Sequence, residues 1–156
     1  MAIHALTHIG ICVSDLERSR AFYRDGLGFR EVSRLAIDGA PTSQLMGVDD
    51  IELRCAFLER DGVRLELMYF QRPGCEGDGA GTTPLRRGLT HLALRVDDVG
   101  AECARLEAAG ATIEHGSWVR NEAWGSEVVW VLDPDGVRIE VCYAPGDPFE
   151  PHGERV

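Results

Sequence analysis

Two histidines and two glutamates recur at equivalent places along this chain, and together they are a ligand set suited to a divalent transition metal. Asp61-Gly62-Val63-Arg64-Leu65-Glu66-Leu67 returns as Asp135-Gly136-Val137-Arg138-Ile139-Glu140-Val141, and Leu6-Thr7-His8-Ile9 returns as Leu89-Thr90-His91-Leu92. The chain is therefore a tandem duplication in which each half carries one histidine near its start and one glutamate near its end. A single histidine on a strand is more often a solvated residue than a ligand, and a single glutamate is usually the polar side of an amphipathic strand. Recurrence of the pair tips the balance toward a metal site made of His8, Glu66, His91 and Glu140.

The elements that must position these four residues are also legible. Ile9, Ile11 and Val13 alternate with His8, Gly10 and Cys12, the period of a strand with one apolar face. Ser14 or Asp15 caps a helix through about Asp25, and Gly26 and Gly28 mark its end. Strands follow over 29–37 and 51–59, and Asp61-Gly62 turns tightly into a fourth over 63–70. The second half repeats the plan. Leu92, Leu94 and Val96 form the apolar face of a strand, and Asp97 or Asp98 caps a helix that Gly110 stops. Strands follow over 112–119 and 127–132, then Asp133-Pro134-Asp135-Gly136 turns into a last strand over 137–143. Each half is thus β-α-β-β-β. The helices must cover the apolar faces, so His8, Glu66, His91 and Glu140 all fall on the opposite faces. If those faces curl together, the four side chains converge in a cleft.

The expected organisation is a first module over 1–70, a Gly/Pro/Thr-rich linker over 71–88, a second module over 89–144 and a polar, fraying tail over 145–156. The His8-to-Glu66 stretch is longer than the His91-to-Glu140 stretch. The extra residues fall in 38–50, where a long loop would make the duplicated site asymmetric.

Composition narrows the partners. A net charge of −10 and a pI near 4.9 repel phosphate backbones, which argues against nucleic acid. No run is long enough to span a membrane, and the start lacks signal-peptide regions. Five cysteines without a C-x-x-C pair read as scattered reduced thiols in a cytoplasmic protein rather than a thiolate zinc site.

Other residues have two readings each. Arg64 and Arg138 precede the glutamates by two positions and share their face, so they either anchor an anionic substrate or sit at a sheet rim. Trp124, in a loop between strands, either lines a pocket or packs ordinarily. Cys12 and Cys142 face the cleft, but no motif marks either as a nucleophile. His4, His115 and His152 have no repeat partner and read as surface residues.

Taken together, His8-Ile9-Gly10-Ile11, Ser14-Asp15-Leu16, Ala21-Phe22-Tyr23, Leu27-Gly28-Phe29, Leu65-Glu66-Leu67, His91-Leu92-Ala93-Leu94 and Asp133-Pro134-Asp135-Gly136 before Ile139-Glu140-Val141 carry a resemblance. From Leu6 to Tyr143 the chain resembles the vicinal oxygen chelate superfamily, which includes glyoxalase I, methylmalonyl-CoA epimerase, extradiol dioxygenases and bleomycin-resistance proteins. The resemblance implies an α+β fold of two tandem βαβββ modules forming a cup-shaped mixed sheet around a divalent metal (Ni, Co, Zn, Mn or Fe). The ligand order His, Glu, His, Glu looks like that of bacterial glyoxalase I. Epimerases of the superfamily commonly carry Gln at the place of Glu66, extradiol dioxygenases leave it without a ligand, and binding proteins have usually lost the ligands.

The resemblance thus implies a lyase, isomerase or epimerase. The metal would act as a Lewis acid on a developing enediolate or enolate, and Glu140 or Glu66 would move the proton. The Thr and Asn associated with glyoxalase I after the first glutamate are absent, so glutathione is not implied as the substrate's carrier. The alternatives are a non-haem iron dioxygenase and a small-molecule binding or resistance protein. The partners expected are a small-molecule substrate and, by general frequency, a second copy in a homodimer. Modules of one chain or of two would complete the site.

Overall fold

Aspartates start both main helices, and the strands that follow them bury the aliphatic residues the alternation marks. The computed structural model describes residues 3–77 and 83–149. The chain divides into two compact units, Met1–Ala80 and Gly81–Val156, and in each a mixed sheet is backed by a helix. Parts of the expected linker (78–82) and tail (150–156, with His152), together with residues 1–2, lie outside the described residues.

In the first unit β1 (Ile9–Cys12) leads to α1 (Leu16–Ala21), β2 (Arg30–Asp38), α2 (Ala40–Met46), β3 (Glu52–Arg60) and β4 (Val63–Arg72). The sheet order is β1-β4-β3-β2, with β1 parallel to β4 and the other pairs antiparallel. Asp15 caps α1 by accepting the Arg18 backbone N–H at 3.0 Å. The helix does not run regularly to Asp25, because a π-turn over Phe22–Gly26 widens it. The wider turn lets two consecutive aromatics, Phe22 and Tyr23, point inward, and both are buried with Leu27, Leu58, Leu65 and Leu67. Burying each such side chain contributes about 1.5–3 kcal/mol. Gly28 ends the segment at φ 71, and a Cβ there would also meet the Arg60 guanidinium at 3.1 Å. Asp61 and Gly62, at φ 52 and 79, form the two-residue turn between β3 and β4.

Two features of this unit depart from expectation. The stretch expected as a long loop over 38–50 holds the seven-residue α2, with Pro41 in its first turn and Gly47 at φ 68 closing it. The sheet face that carries Glu66 is also not simply polar. Leu53 and Cys55 are buried on it, clustered with Ile51, Phe57, Met68 and Phe70.

The second unit runs β5 (Leu92–Arg95), α3 (Val99–Ala108), β6 (Thr112–Ile113), β7 (Val119–Asn121), β8 (Ser126–Leu132) and β9 (Arg138–Tyr143). Its order, β5-β9-β8-β6, repeats the first unit's, with β5 parallel to β9. Asp98 caps α3 by accepting the Ala101 N–H at 2.9 Å. Val99, Cys103 and Leu106 on α3 are buried, as are Val129, Val131, Ile139 and Val141 of the sheet. The Asp133 carboxylate accepts the N–H groups of Asp135 and Val137 at 2.9 and 2.7 Å and so pins the turn into β9.

The strand expected over 112–119 is a correction. It breaks after Ile113 into a 3-10 turn, His115–Ser117, and resumes as β7. Ser117 causes the break: its hydroxyl donates to the Glu114 carbonyl at 2.7 Å and accepts the Trp130 N–H at 2.9 Å, replacing ladder bonds that a continuous strand would make. Among the described residues no helix is long and apolar enough to cross a membrane.

Candidate metal and substrate site

Parallel pairing of the first and last strands is what brings each histidine to its glutamate. Gly10 lies opposite Glu66 in the β1–β4 register, and Ala93 lies opposite Glu140 in the β5–β9 register. His8 and His91 stand just before those strands. The result is His8 Nε2 at 3.2 Å from Glu66 Oε2, and His91 Nε2 at 3.8 Å from Glu140 Oε2. Gly10 leaves room for the Met68 sulfur, which a Cβ there would meet at 3.2 Å.

Each pair has the same supports. Thr7 Oγ1 lies 3.0 Å from His8 Nδ1, and Thr90 Oγ1 lies 2.8 Å from His91 Nδ1. In the tautomer a metal requires, Nδ1–H donates to the threonine hydroxyl and Nε2 keeps its lone pair. An aromatic ring packs edge-on against each imidazole, Phe57 on His8 at 5.5 Å and Trp130 on His91 at 4.9 Å between ring centroids. Phe57 and Trp130 are also the cross-strand neighbours of Glu66 and Glu140. The sequence carries a signal for the threonines, which precede both histidines. It carries none for the aromatics, because their place depends on strand register.

The donor set suits a divalent ion. Two ligands each about 2.1 Å from one ion lie roughly 3.0–3.4 Å apart when the bond angle is about 90–110°. The His8–Glu66 pair already falls in that window, and the His91–Glu140 pair is a few tenths of an ångström wider. Each unit by itself supplies a pair; among the described residues no group of three or more His, Cys, Asp or Glu is poised for a metal.

Two thiols lie against the carboxylates. Cys55 donates to Glu66, and burial, then this bond and the carboxylate's charge, push its pKa up to about 12. Burial, then the charge of Glu140, raise that of Cys142. Both remain protonated at neutral pH, so neither offers a thiolate.

The arginines on this face have other partners. Arg64 donates to Glu59 at 2.8 Å and is well exposed. Arg138 is 9% exposed, stacks over the Trp130 ring at 5.6 Å from its centroid and lies 3.7 Å from Glu114. Trp124 is held at the β7–β8 turn, where its N–H reaches Asn121 Oδ1 at 3.2 Å. It lines a cavity of about 470 Å³ together with Val128, Glu140, Cys142, Tyr143 and Pro145. Glu140 is therefore the glutamate with a substrate-sized space beside it.

A lactoylglutathione lyase of Schizosaccharomyces pombe is 30% identical over 90% of this chain and 48% of its own length. A catechol-2,3-dioxygenase of Bacillus subtilis is 31% identical over 90% of this chain and 42% of its own length. The chain thus spans about half the length of these relatives. A glyoxalase family protein from Bacillus cereus shares the fold, with a TM-score of 0.79 at 19% identity over 94% of this chain and 97% of its own. Residues 5–141 match the Glyoxalase/Bleomycin resistance protein/Dioxygenase superfamily, to which this chain belongs.

Proposed function

We propose that this protein is a metal-dependent lyase, isomerase or epimerase of the glyoxalase type, in which His8, Glu66, His91 and Glu140 share one divalent ion. The observation that carries it is the duplicated His–Glu pair, each with its threonine on Nδ1 and its Nε2 facing a carboxylate. One ion would take both pairs, from one chain or from two copies. When bound, such an ion stabilises negative charge developing on adjacent substrate oxygens.

The chain's own residues divide the remaining work. His8 and His91 hold their imidazoles in place through Thr7 and Thr90. Glu66 is the less exposed carboxylate, 12% against 28% for Glu140, and accepts the Cys55 thiol, which suits it to holding rather than to proton transfer. Glu140 faces the cavity and is placed to take a proton from a substrate carbon and return it to the same or the neighbouring carbon. Phe57 and Trp130 each pack edge-on against one imidazole and limit its rotation.

The Bacillus subtilis relative supports a second reading, an iron-dependent dioxygenase. It requires Glu66 to stand off the metal, whereas Glu66 lies within 3.2 Å of His8 Nε2. Metal analysis of the protein purified without air separates the two. A tightly held Ni, Co, Zn or Mn ion, with metal-dependent exchange of an activated C–H into deuterated water, is the expected result. Ferrous iron with oxygen uptake on catechols establishes the dioxygenase instead, and a protein that takes up no metal overturns both.

A further inference from the structure

The ring that packs on His91 is itself held, backbone and side chain, by the segment that interrupts the strand after Ile113. The Trp130 N–H donates to Ser117 Oγ at 2.9 Å, and the Trp130 carbonyl accepts the Glu114 N–H at 3.0 Å. Ser117 Oγ in turn donates to the Glu114 carbonyl at 2.7 Å, which closes the turn. The Glu114 carboxylate lies 3.7 Å from Arg138 Nε, and the Arg138 guanidinium stands over the Trp130 ring at 5.6 Å from its centroid. Arg138 is buried, so little water weakens that contact. The ring then meets the His91 imidazole at 4.9 Å, with 67° between the planes. The first unit is built differently at these places. Arg64, the repeat of Arg138, is 44% exposed and turned to Glu59. Beside Phe57, β2 runs as one strand, with a register shift but no helical turn.

We propose that Arg138 is a positioning residue for His91. It stacks on Trp130 while the Glu114–Ser117 turn fixes that residue's backbone, and the clamped ring holds the imidazole in the orientation metal binding needs. The proposal rests on His91 being a metal ligand, as set out above, and gives the strand break a purpose that the ligand set alone does not. Charge and positioning predict opposite signs. A guanidinium near a bound cation repels it, so if charge were all that mattered, removing Arg138 would tighten metal binding. Holding a ligand ready does the opposite, because an unsupported imidazole must be ordered at the moment the ion binds. In this role Arg138 acts through Trp130 and touches neither ion nor substrate.

Arg138→Met keeps an unbranched apolar stem and removes the cation. In the metal-free full chain the His91 Hε1 resonance, displaced by the Trp130 ring current, is expected to move toward its unperturbed position in this variant, with the His8 resonance unchanged. The Co(II) dissociation constant, read by competitive chelation, is expected to rise about tenfold. Arg138→Lys, which retains a cation for the ring, should recover most of both changes. In Trp130→Leu, which has no ring, Arg138→Met should add nothing further. An unmoved His91 resonance overturns the proposal, as do unchanged or tighter Co(II) binding in Arg138→Met and an undiminished Arg138 effect without the ring. Ser117→Ala removes the hydroxyl that clamps Trp130 and should shift both readings the same way. It decides the matter if Arg138→Met does not fold, and unmoved readings there overturn the proposal. If the unmodified protein binds no Co(II), the metal-centred function falls, while the resonances of the metal-free protein still show whether Arg138 positions His91.

Discussion

His8 and His91 each have one nitrogen committed to a threonine hydroxyl and the other turned to a glutamate, and this division of labour can be tested atom by atom. Loss of the support to a metal-binding imidazole typically costs 10–100-fold in metal affinity. Thr90→Val is isosteric but has no hydroxyl, so its metal dissociation constant is expected to rise by about that factor, with Thr90→Ser restoring it. A competitive-chelator titration reads both, and an unchanged Thr90→Val would show that His91 needs no such support. For the carboxylates, Glu140→Gln keeps the shape and removes the base, so exchange of the substrate proton should fall about 100-fold or more in metal-saturated protein. Glu66→Gln should lose mainly metal affinity. The reverse pattern in a deuterium-exchange assay would move the base to Glu66. The four candidate residues could be picked out because they repeat. Phe57, Trp130 and the fate of Arg138 could not, since packing of a ring on an imidazole leaves no mark in local spacing.

At the scale of elements, α3 carries a consequence for pH. Cys103 on its inner face is buried, and that burial, reinforced by Glu102, Glu127 and Glu107, pushes its pKa from 9.0 up to about 11. A thiol harder to ionise in the folded than in the unfolded protein contributes stability that is fully present below pH 9. That contribution is lost as pH rises toward 11, because the unfolded state sheds its proton first. Denaturant midpoints measured from pH 8 to 11 should therefore fall less steeply in Cys103→Ala than in the unmodified protein; parallel curves would remove Cys103 from the alkaline loss. Helix starts at Asp15 and Asp98 and the Asp61-Gly62 turn were readable because capping and left-handed turns are short-range chemistry. The π-turn at Phe22–Gly26 and the break at Ser117 were not. Each exists to satisfy a burial or a hydrogen bond supplied by a distant strand.

For the whole molecule, duplication has a stoichiometric consequence. Two donors per unit make a poor site for an ion that prefers four or more protein and solvent ligands, so neither pair is expected to hold metal alone. One ion per chain is the expected content after loading and desalting, and His8→Ala and His91→Ala should each abolish that single equivalent. Two equivalents per chain, or one retained in either variant, would mean that each unit binds independently and that the shared site is wrong. Native mass spectrometry distinguishes these counts directly.

The sequence by itself determined that the chain is duplicated, where most strands and both main helices lie, and that each histidine shares a strand face with its glutamate. Those properties follow from repetition, capping chemistry and the two-residue period of a strand, all carried by neighbours along the chain. The tertiary structure alone decided that β1 pairs in parallel with β4 and β5 with β9, setting Nε2 within reach of each carboxylate. It also decided that Arg138 is buried on Trp130, that α2 fills the expected loop, and that Trp124 and Val128 share a cavity with Glu140. These depend on register and packing between residues far apart in the chain, and no local pattern encodes which distant side chain will be the neighbour.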